Sequence, residues 1–254
     1  MKKDEEMRTA LITGAGRREG LGFEIARQLG AEGFHVILSA RRLEQVEPLA
    51  AELVAQGVKA SALKVDLLDH ASLAAAAQQV EAQFGTLDVL VNNAAMMVGS
   101  PNVADKDMDE LLLEFQTNVV GTWSVTQQFL PLIVAGGNGR IVNVSSGSGA
   151  FWDPDYGLVN YPGFEMERFG APISAYALTK TAVNGLTIKM AKELKSDNIL
   201  VNAVCPGVTA TRPGSEEWGA RPVADGAKGV VWAATLPDDG PTGLFFRDGK
   251  QLPW

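Results

Sequence analysis

The sequence has very few of the side chains that build metal sites and disulfide frameworks. Among its 254 residues there are one cysteine, Cys205, and two histidines. A single cysteine cannot close an internal disulfide, and one thiol with two imidazoles supplies too few ligands for the usual zinc sites. We therefore expect no bound metal, and we interpret Cys205 as a small buried residue.

Long apolar runs and an excess of positive charge are also lacking. No run approaches the roughly 20 residues of a membrane span, and the charged residues 1–6 have no apolar stretch of a secretory signal behind them. The 22 basic residues are outnumbered by 30 acidic ones, giving a net charge of −8. This balance argues against nucleic acid or an anionic membrane as a partner. We expect a cytoplasmic protein by default, and a small ligand is not excluded.

What the chain does have is a regular alternation of short β-branched apolar runs with alanine-rich segments of helical period. The apolar runs lie at 10–13, 35–39, 62–66, 89–92, 141–145, 200–204 and 244–246. Such strands between helices are typical of a parallel sheet covered on both faces. The pattern predicts one α/β domain over residues 1–254: a doubly wound (Rossmann) parallel sheet of about seven strands with helices on both faces. Residues 1–7 are expected to be disordered.

A glycine-rich turn follows the first predicted strand. Residues 13–22 read TGAGRREGLG, and a helix is predicted to follow directly. Glycines at such a turn let backbone N–H groups approach a pyrophosphate at the helix N-terminus. The spacing departs from G-x-G-x-x-G because Glu19 takes the sixth position, so a plain glycine turn is the alternative. Its place after the first strand of a βαβ unit favours a dinucleotide site.

The end of the second predicted strand carries arginines where an NAD site needs a carboxylate. The strand ends in Ala40, Arg41 and Arg42. A guanidinium suits bidentate capture of a 2′-phosphate, and two cations at a helix N-terminus oppose its dipole unless an anion binds there. The sequence therefore favours NADP(H) over NAD(H), with Arg42 itself expected to face solvent.

A phenol and an ammonium lie four residues apart, at Tyr176 and Lys180, on one face of a predicted helix. A free phenol, with a pKa of about 10, is a poor acid–base catalyst near neutral pH. An adjacent cation lowers that pKa. The pair therefore indicates proton transfer at Tyr176.

These motifs, in this order, resemble those of the short-chain dehydrogenases/reductases over nearly the whole chain. Further matching pieces are Asp66-Leu67, Asn92-Asn93-Ala94-Ala95, Asn118, the VNVSS run at 142–146 and the PGVTAT run at 206–211. The segment 240–254 is similar to the carbonyl-reductase branch in particular.

The resemblance implies a catalytic set of Asn118, Ser146, Tyr176 and Lys180. Tyr176 would exchange the proton, Lys180 would lower its pKa and hold the cofactor ribose, and Ser146 would hydrogen-bond the carbonyl. Asn118 would hold a water that relays protons to Lys180. The expected cofactor contacts are Gly14, Arg17, Arg18, Gly20, Leu21, Arg41, Asp66, Leu67, Asn93, Ala94, Tyr176, Lys180, Pro206, Gly207, Val208, Thr209 and Thr211. Which of Arg17 and Arg18 reaches a phosphate stays open.

Structural roles are expected for several neighbours of these residues. Ser145 and Ser148 are interpreted as turn and packing residues, and Asn92 as a link between strands. Ala95 stands where the family has glycine.

Tyr176 follows Ser146 by 30 positions, a longer separation than is common in the family, so residues 150–174 contain an insertion. Because this insertion is rich in aromatic residues, we expect it to shape the substrate side; anchoring the loop is the alternative.

The resulting expectation is an NADPH-dependent carbonyl reductase that transfers hydride to a ketone or aldehyde with an apolar or aryl group. Two alternatives remain: an NADP-dependent alcohol dehydrogenase working in the oxidative direction, and a non-catalytic NADP(H)-sensing module, against which the intact catalytic set weighs. The two longest predicted helices, at 108–134 and 176–194, carry more apolar residues than one stripe packed on the sheet needs. This excess favours a homodimer. The sequence does not specify the substrate, its stereochemistry or the physiological direction.

Overall fold

The computed structural model describes residues 7–99, 103–159 and 173–254. Residues 1–7 were expected to be disordered; of these, only Met7 is among the described residues, and residues 1–6 lie outside them. Among the described residues, no helix is long and apolar enough to cross a membrane. No group of three or more histidine, cysteine, aspartate or glutamate side chains within them is placed to hold a metal ion.

The strands form a single sheet in the order β3-β2-β1-β4-β5-β6-β7-β8. Their bounds are β1 Thr9–Ile12, β2 His35–Ala40, β3 Ala60–Lys64, β4 Val89–Asn92, β5 Arg140–Val144, β6 Leu200–Val204, β7 Phe245–Arg247 and β8 Lys250–Leu252. All neighbours pair in parallel except β7 and β8, which are antiparallel. The doubly wound fold is confirmed.

The residues that the structure describes form eight strands, which corrects the expected count of about seven. The extra strand arises because the chain reverses between β7 and β8 at Asp248 and Gly249, which have φ values of 53° and 71°. Two consecutive positive φ values are the signature of the tight hairpin turn whose twist matches the flanking strands. A three-residue strand such as β8 is too short for the period-2 pattern to be recognised in the sequence.

Seven α-helices flank the sheet in the described part of the chain. Their bounds are α1 Leu21–Ala31, α2 Glu47–Ala55, α3 His70–Phe84, α4 Met108–Phe115, α5 Gly121–Gly136, α6 Ser174–Glu193 and α7 Val223–Ala234. The single helix predicted at 108–134 is wrong in one respect: a π-helical turn, Gln116–Val120, separates α4 from α5. The spacing of apolar residues cannot distinguish a π turn from a continuing α-helix, because a π turn adds only one residue to the helical repeat.

The apolar core lies in two layers, one on each face of the sheet. In β1, Ala10 and Ile12 pack into the layer that includes residues of α1, α2 and α7. Leu11 between them packs into the layer that includes residues of α3, α5 and α6. This alternation follows from the period of two in a strand.

The sheet order places a crevice at the carboxyl ends of β1 and β4. The chain runs outward from β1 to β3 and then crosses back to β4 on the other side of β1. In an open α/β sheet, ligands bind at this point of reversal because the connections diverge there. The glycine turn and Asn93 follow β1 and β4 directly.

Candidate active site

A cleft of about 620 Å³ opens at the carboxyl ends of the strands. Most residues expected from the sequence to contact the cofactor line it: Gly14, Arg17, Gly20, Leu21, Arg41, Asp66, Leu67, Asn93, Ala94, Tyr176, Lys180, Pro206, Gly207, Thr209 and Thr211. Arg18, Asn118, Ser146 and Val208 are not among the residues on its walls.

The glycine turn is held against the end of β4 by hydrogen bonds. Asn93 Nδ2 donates to the carbonyl of Thr13 at 2.8 Å and to that of Gly14 at 3.2 Å. The hydroxyl of Thr13 accepts from the backbone N–H groups of Asn93 and Ala94, at 3.0 Å each. Gly14 has a φ of +68°, and a Cβ there would lie 2.7 Å from Ala94 Cα. Only glycine therefore fits this close approach of two chain segments.

The two arginines of the turn have different environments. Arg18 donates to Glu52 on α2 through Nε and Nη2, at 2.7 Å each, and its guanidinium lies 5.2 Å from the ring centroid of Phe23. Arg17 lines the cleft, as Arg41 does. Among the described residues, neither Arg17 nor Arg41 has an ion-pair partner. The structure therefore turns Arg17 toward the cleft and Arg18 toward α2.

Asn118 lies in the π turn and is 1% exposed. Its side chain accepts from Met96 N at 2.7 Å and donates to Met96 O at 2.8 Å and to Thr179 Oγ1 at 3.0 Å. It thus joins the segment after β4 to α6 at the residue before Lys180. π turns are frequent at functional sites because they re-aim a side chain. The water-holding role of Asn118 stays a prediction.

Tyr176 and Lys180 lie on α6 and line the cleft together. Lys180 is 3% exposed, and its Nζ donates to the carbonyl of Val144 at 2.7 Å. The same Nζ lies 5.5 Å from the centroid of the Tyr176 ring. The helix spacing therefore brings phenol and ammonium together, while the ammonium is bonded to the end of β5.

Burial governs the ionisation of this pair. It lowers the pKa of Lys180 to about 8 and raises the pKa of the Tyr176 phenol above its ordinary value. Nearby Cys205 and Glu114 also raise the pKa of Tyr176. The expectation that the adjacent cation lowers the pKa of Tyr176 is not met in this geometry, because removing the charged phenolate from water dominates. Near neutral pH the phenol therefore carries its proton.

The two serines after β5 differ in a way that the sequence did not indicate: Ser145 is buried but lies on the cleft wall, whereas Ser146 is half-buried and is not among the wall residues. Ser145 is buried and donates to Asn184 Oδ1 at 2.5 Å, which ties the end of β5 to α6. Ser146 Oγ lies 2.9 Å from Ser148 Oγ and accepts from Ser148 N at 3.3 Å. Asn92, which donates to Thr126 and Asn143, links β4 to its neighbours, as the sequence suggested.

Cys205, interpreted from the sequence only as a small buried residue, also accepts hydrogen bonds. It is buried, and its sulfur accepts from the backbone N–H groups of Gly147 at 3.2 Å and Gly207 at 3.4 Å. It therefore connects the turn that begins at Ser146 with the cleft-lining segment that begins at Pro206. Nothing in the local sequence signals this contact, because it joins chain segments that are distant in sequence.

The segment 206–211 folds around the side chain of Arg221. Arg221 Nε donates to the carbonyl of Pro206 at 2.7 Å, and Gly207 has a φ of +70°. The Thr209 hydroxyl donates to the carbonyls of Pro206 and Gly207, at 3.1 Å each. The carbonyl of Val208 accepts from Arg221 N at 2.9 Å. Val208, which was expected to contact the cofactor, thus bonds to Arg221 and is not among the residues on the cleft wall.

The insertion is described only in part. Tyr161, Phe164 and Phe169 lie outside the described residues. Residues 150–159 are anchored: Asp153 is fully buried and pairs with Arg247, while Trp152 N donates to the carbonyl of Trp254 at 3.3 Å. The side chains of Phe151 and Trp152 are exposed, and neither lines the cleft. In this portion the anchor consists of the backbone, of Asp153 and of the Tyr156 ring, whose centroid lies 5.1 Å from the Arg247 guanidinium.

Several cleft residues carry no recognisable signal in the sequence. Met96 and Met97 line the cleft after Ala95, and Arg212 lines it after Thr211. Gln45, also on the wall, packs near Gly16. Methionine fills irregular apolar surfaces and tolerates varied partners, so the two methionines make this wall apolar and adaptable.

Comparison with known proteins agrees with this geometry. The family model described as short chain dehydrogenase matches residues 8–162 and 167–220. The oxidoreductase UcpA of Escherichia coli K12 is 39% identical over 206 residues, which cover 80% of this chain and 70% of that protein.

Solved structures resemble the fold over almost its full length. A metagenomic short-chain oxidoreductase in complex with NADP has a TM-score of 0.74 and 30% identity, covering 94% of this chain and 96% of that one. A variant of actinorhodin polyketide ketoreductase with NADPH has a TM-score of 0.79 and 28% identity, covering 95% of each chain.

Proposed function

Because the chain belongs to the short-chain dehydrogenase/reductase family, we propose that it is an NADPH-dependent carbonyl reductase. Its substrate is a ketone or aldehyde with an apolar or aryl group. The observation that carries the proposal is the composition of one cleft. It joins Arg17 and Arg41, which have no ion-pair partner in the described chain, to the Tyr176–Lys180 pair.

The residues of the cleft fit an NADP(H) molecule. The glycine turn lies on the cleft wall, from Gly14 to Gly20, directly before the N-terminus of α1, which suits a pyrophosphate lying against backbone N–H groups. Arg17 and Arg41 supply guanidinium groups for the 2′-phosphate, and no carboxylate ends β2 to bind a free 2′-hydroxyl. The NADP- and NADPH-bound structures named above support this choice. When bound, NADPH supplies the hydride.

The chain's own residues handle the proton and the substrate. Tyr176 holds its proton near neutral pH, since the ordinary pKa of a phenol is about 10 and burial does not lower it, and it donates that proton to the carbonyl oxygen. The family resemblance assigns Ser146, which follows the wall residue Ser145, a hydrogen bond to the same oxygen that stabilises its developing negative charge. Lys180 orients the cofactor ribose, and Met96 and Met97 face the apolar part of the substrate.

The direct test follows NADPH absorbance with a panel of aryl and alkyl ketones, in the wild type and in Tyr176→Phe. The proposal expects reduction by the wild type and loss of it in the variant, with NADPH binding retained in both. Oxidation of alcohols with NADP⁺ but no ketone reduction would identify the oxidative alternative. Tight NADPH binding without turnover of either class would identify a sensing module.

We further propose that two copies associate through α4, α5 and α6. The surface of these helices and of the π turn between α4 and α5 carries exposed apolar side chains at Met108, Leu112, Val120, Trp123 and Leu178. Large exposed apolar patches are uncommon on monomeric proteins and mark contact surfaces. The expected assembly is a homodimer, whose mass provides the test.

A further inference from the structure

Two consecutive residues of the β7–β8 hairpin form ion pairs with two different segments of the substrate side. Arg247 pairs with Asp153 in the insertion that follows β5. Asp248 pairs with Arg221, which holds the segment that follows β6. We propose that this turn, with its two ion pairs, is a brace that sets the position of the Ser146 turn relative to Pro206 and Gly207. This C-terminal brace rests on the proposed function for its catalytic meaning.

The first arm of the brace is the pair of Arg247 and Asp153, and it reaches Gly147, the residue after Ser146. Arg247 Nη1 donates to Asp153 Oδ2 at 2.8 Å, and Nη2 donates to Asp153 Oδ1 at 3.3 Å and also to Asp155. Asp153 Oδ1 accepts in addition from the backbone N–H groups of Asp155 at 2.8 Å and Tyr156 at 3.1 Å. The Asp153 carboxylate packs so closely on Gly147 that a Cβ there would overlap it. Displacing Arg247 would leave a fully buried carboxylate without its cation, so this arm is held firmly.

The second arm reaches the wall of the cleft. Arg221 Nη1 donates to Asp248 Oδ1 at 2.7 Å, while its Nε donates to the carbonyl of Pro206 at 2.7 Å. The guanidinium also lies against Gly207, 3.1 Å from where a Cβ would stand. Pro206 and Gly207 both line the cleft. Asp248 therefore acts on the cleft wall through one side chain.

The two arms meet again at Cys205. Its sulfur accepts from Gly147 N on the first arm and from Gly207 N on the second. The hairpin turn has positive φ at both Asp248 and Gly249, a tight geometry that fixes Arg247 and Asp248 relative to each other. The brace is thus a closed ring, so movement of one arm is transmitted to the other. Because a misplacement of about 1 Å can cost 10²-fold in rate, we assign Arg247, Asp248, Asp153 and Arg221 as positioning residues.

The test uses one variant for each arm and measures the opposite arm. Asp248→Asn removes the charge of the second arm while keeping a residue that tolerates positive φ. The paired change Asp153→Asn with Arg247→Gln replaces the charges of the first arm by neutral groups that can still form hydrogen bonds. Glu193→Gln is the matched control, because it removes one carboxylate from the exposed Lys189–Glu193 pair on α6. Amide hydrogen exchange is followed at 147–157 and 206–211, and NADPH affinity by nucleotide fluorescence.

Asp248→Asn is expected to speed exchange at 206–211 and to raise the Kd for NADPH, each by roughly two- to fivefold, as for loss of a partly exposed ion pair. The ring also requires faster exchange at Gly147 and Gly149 in this variant, although Asp248 does not contact them. The paired variant should likewise speed exchange at Gly207. The Glu193→Gln control should change neither segment nor the Kd.

Exchange that rises only in the altered arm would overturn the brace and leave two separate ion pairs. If the paired variant does not fold, the response of Gly147 and Gly149 in Asp248→Asn decides alone. Exchange and NADPH affinity need no ketone, so a protein that reduces no ketone contradicts the proposed function without affecting this test. With a reduced ketone, Asp248→Asn should raise KM for NADPH more than it lowers kcat.

Discussion

Removal of single arginines tests how the cleft selects its cofactor. Arg17 and Arg41 line the cleft without an ion-pair partner in the described chain, whereas the neighbouring Arg18 is bonded to Glu52. We predict that Arg17→Ala and Arg41→Ala each weaken NADPH binding and that Arg18→Ala does not. The adjacent arginine provides a control of the same charge and size.

The size of the effect follows from the bonds that are lost. A hydrogen bond to a charged group contributes about 1.5–3 kcal/mol, and each 1.4 kcal/mol is a factor of ten in Kd. Arg17 and Arg41 are both exposed, and solvent screens their interactions, so the lower limit applies. We expect the Kd for NADPH to rise about tenfold in each variant, and about a hundredfold in the double variant if the two sites act independently.

Fluorescence titration with NADPH and NADH measures these changes. Because NADH lacks the 2′-phosphate, Arg41→Ala should change the NADH affinity by less than about twofold, which would bring the two cofactors closer together. Arg18→Ala removes an exposed pair worth about 1 kcal/mol or less, so it should alter stability slightly and cofactor affinity not at all. An equal loss of NADPH affinity in Arg18→Ala, or an equal loss of NADH affinity in Arg41→Ala, would refute the assignment of these side chains.

Four further outcomes are expected. Tyr176→Phe should lower kcat by about 10²–10⁴-fold, as for removal of a general acid, and leave the Kd for NADPH within about twofold. Gly14→Ala should lower the free energy of unfolding in urea by about 1–3 kcal/mol, because φ is +68° and the new Cβ would meet Ala94 at 2.7 Å. Since the pKa of Lys180 is lowered from 10.5 to about 8, the unfolded chain binds the proton more strongly between these values. The free energy of unfolding of the wild type, relative to Lys180→Met, should therefore rise from pH 8 to 10.5. Light scattering should give twice the 27.0 kDa of one chain and fall toward the monomer mass in Trp123→Glu; a monomeric wild type would contradict the dimer.

The sheet and its order of helices could be predicted because burial leaves a local trace. Strands covered on both faces are buried along their whole length and mostly apolar, as in β1 and β6, and the helices between them carry apolar residues at helical spacing. The glycine turn was recognisable because a positive φ and a close approach leave glycine as the only residue that fits, as at Gly14. These features depend on a few adjacent residues.

The features that escaped prediction depend on contacts between distant segments. The separation of Arg17 from Arg18 is set by Glu52 on α2, and the contacts of Cys205 are set by Gly147 and Gly207. The π turn at Asn118 has no apolar period of its own. The direction of the Tyr176 pKa depends on desolvation, which the spacing of Tyr176 and Lys180 does not reveal.

The partners of the cleft residues indicate where binding energy and rate originate. Three of the polar groups assigned to catalysis already have a hydrogen-bond partner within the chain: Lys180 bonds to Val144, Asn118 to Met96 and Ser146 to Ser148. A ligand that takes the place of one of these partners exchanges one hydrogen bond for another, so the net gain in affinity is small. Arg17 and Arg41, which have no ion-pair partner in the described chain, give up no salt bridge when a phosphate binds. The affinity for NADPH should therefore depend mainly on Arg17 and Arg41, and the rate of reduction mainly on Tyr176. For this reason Arg41→Ala should change the Kd for NADPH more than kcat, and Tyr176→Phe should change kcat more than the Kd.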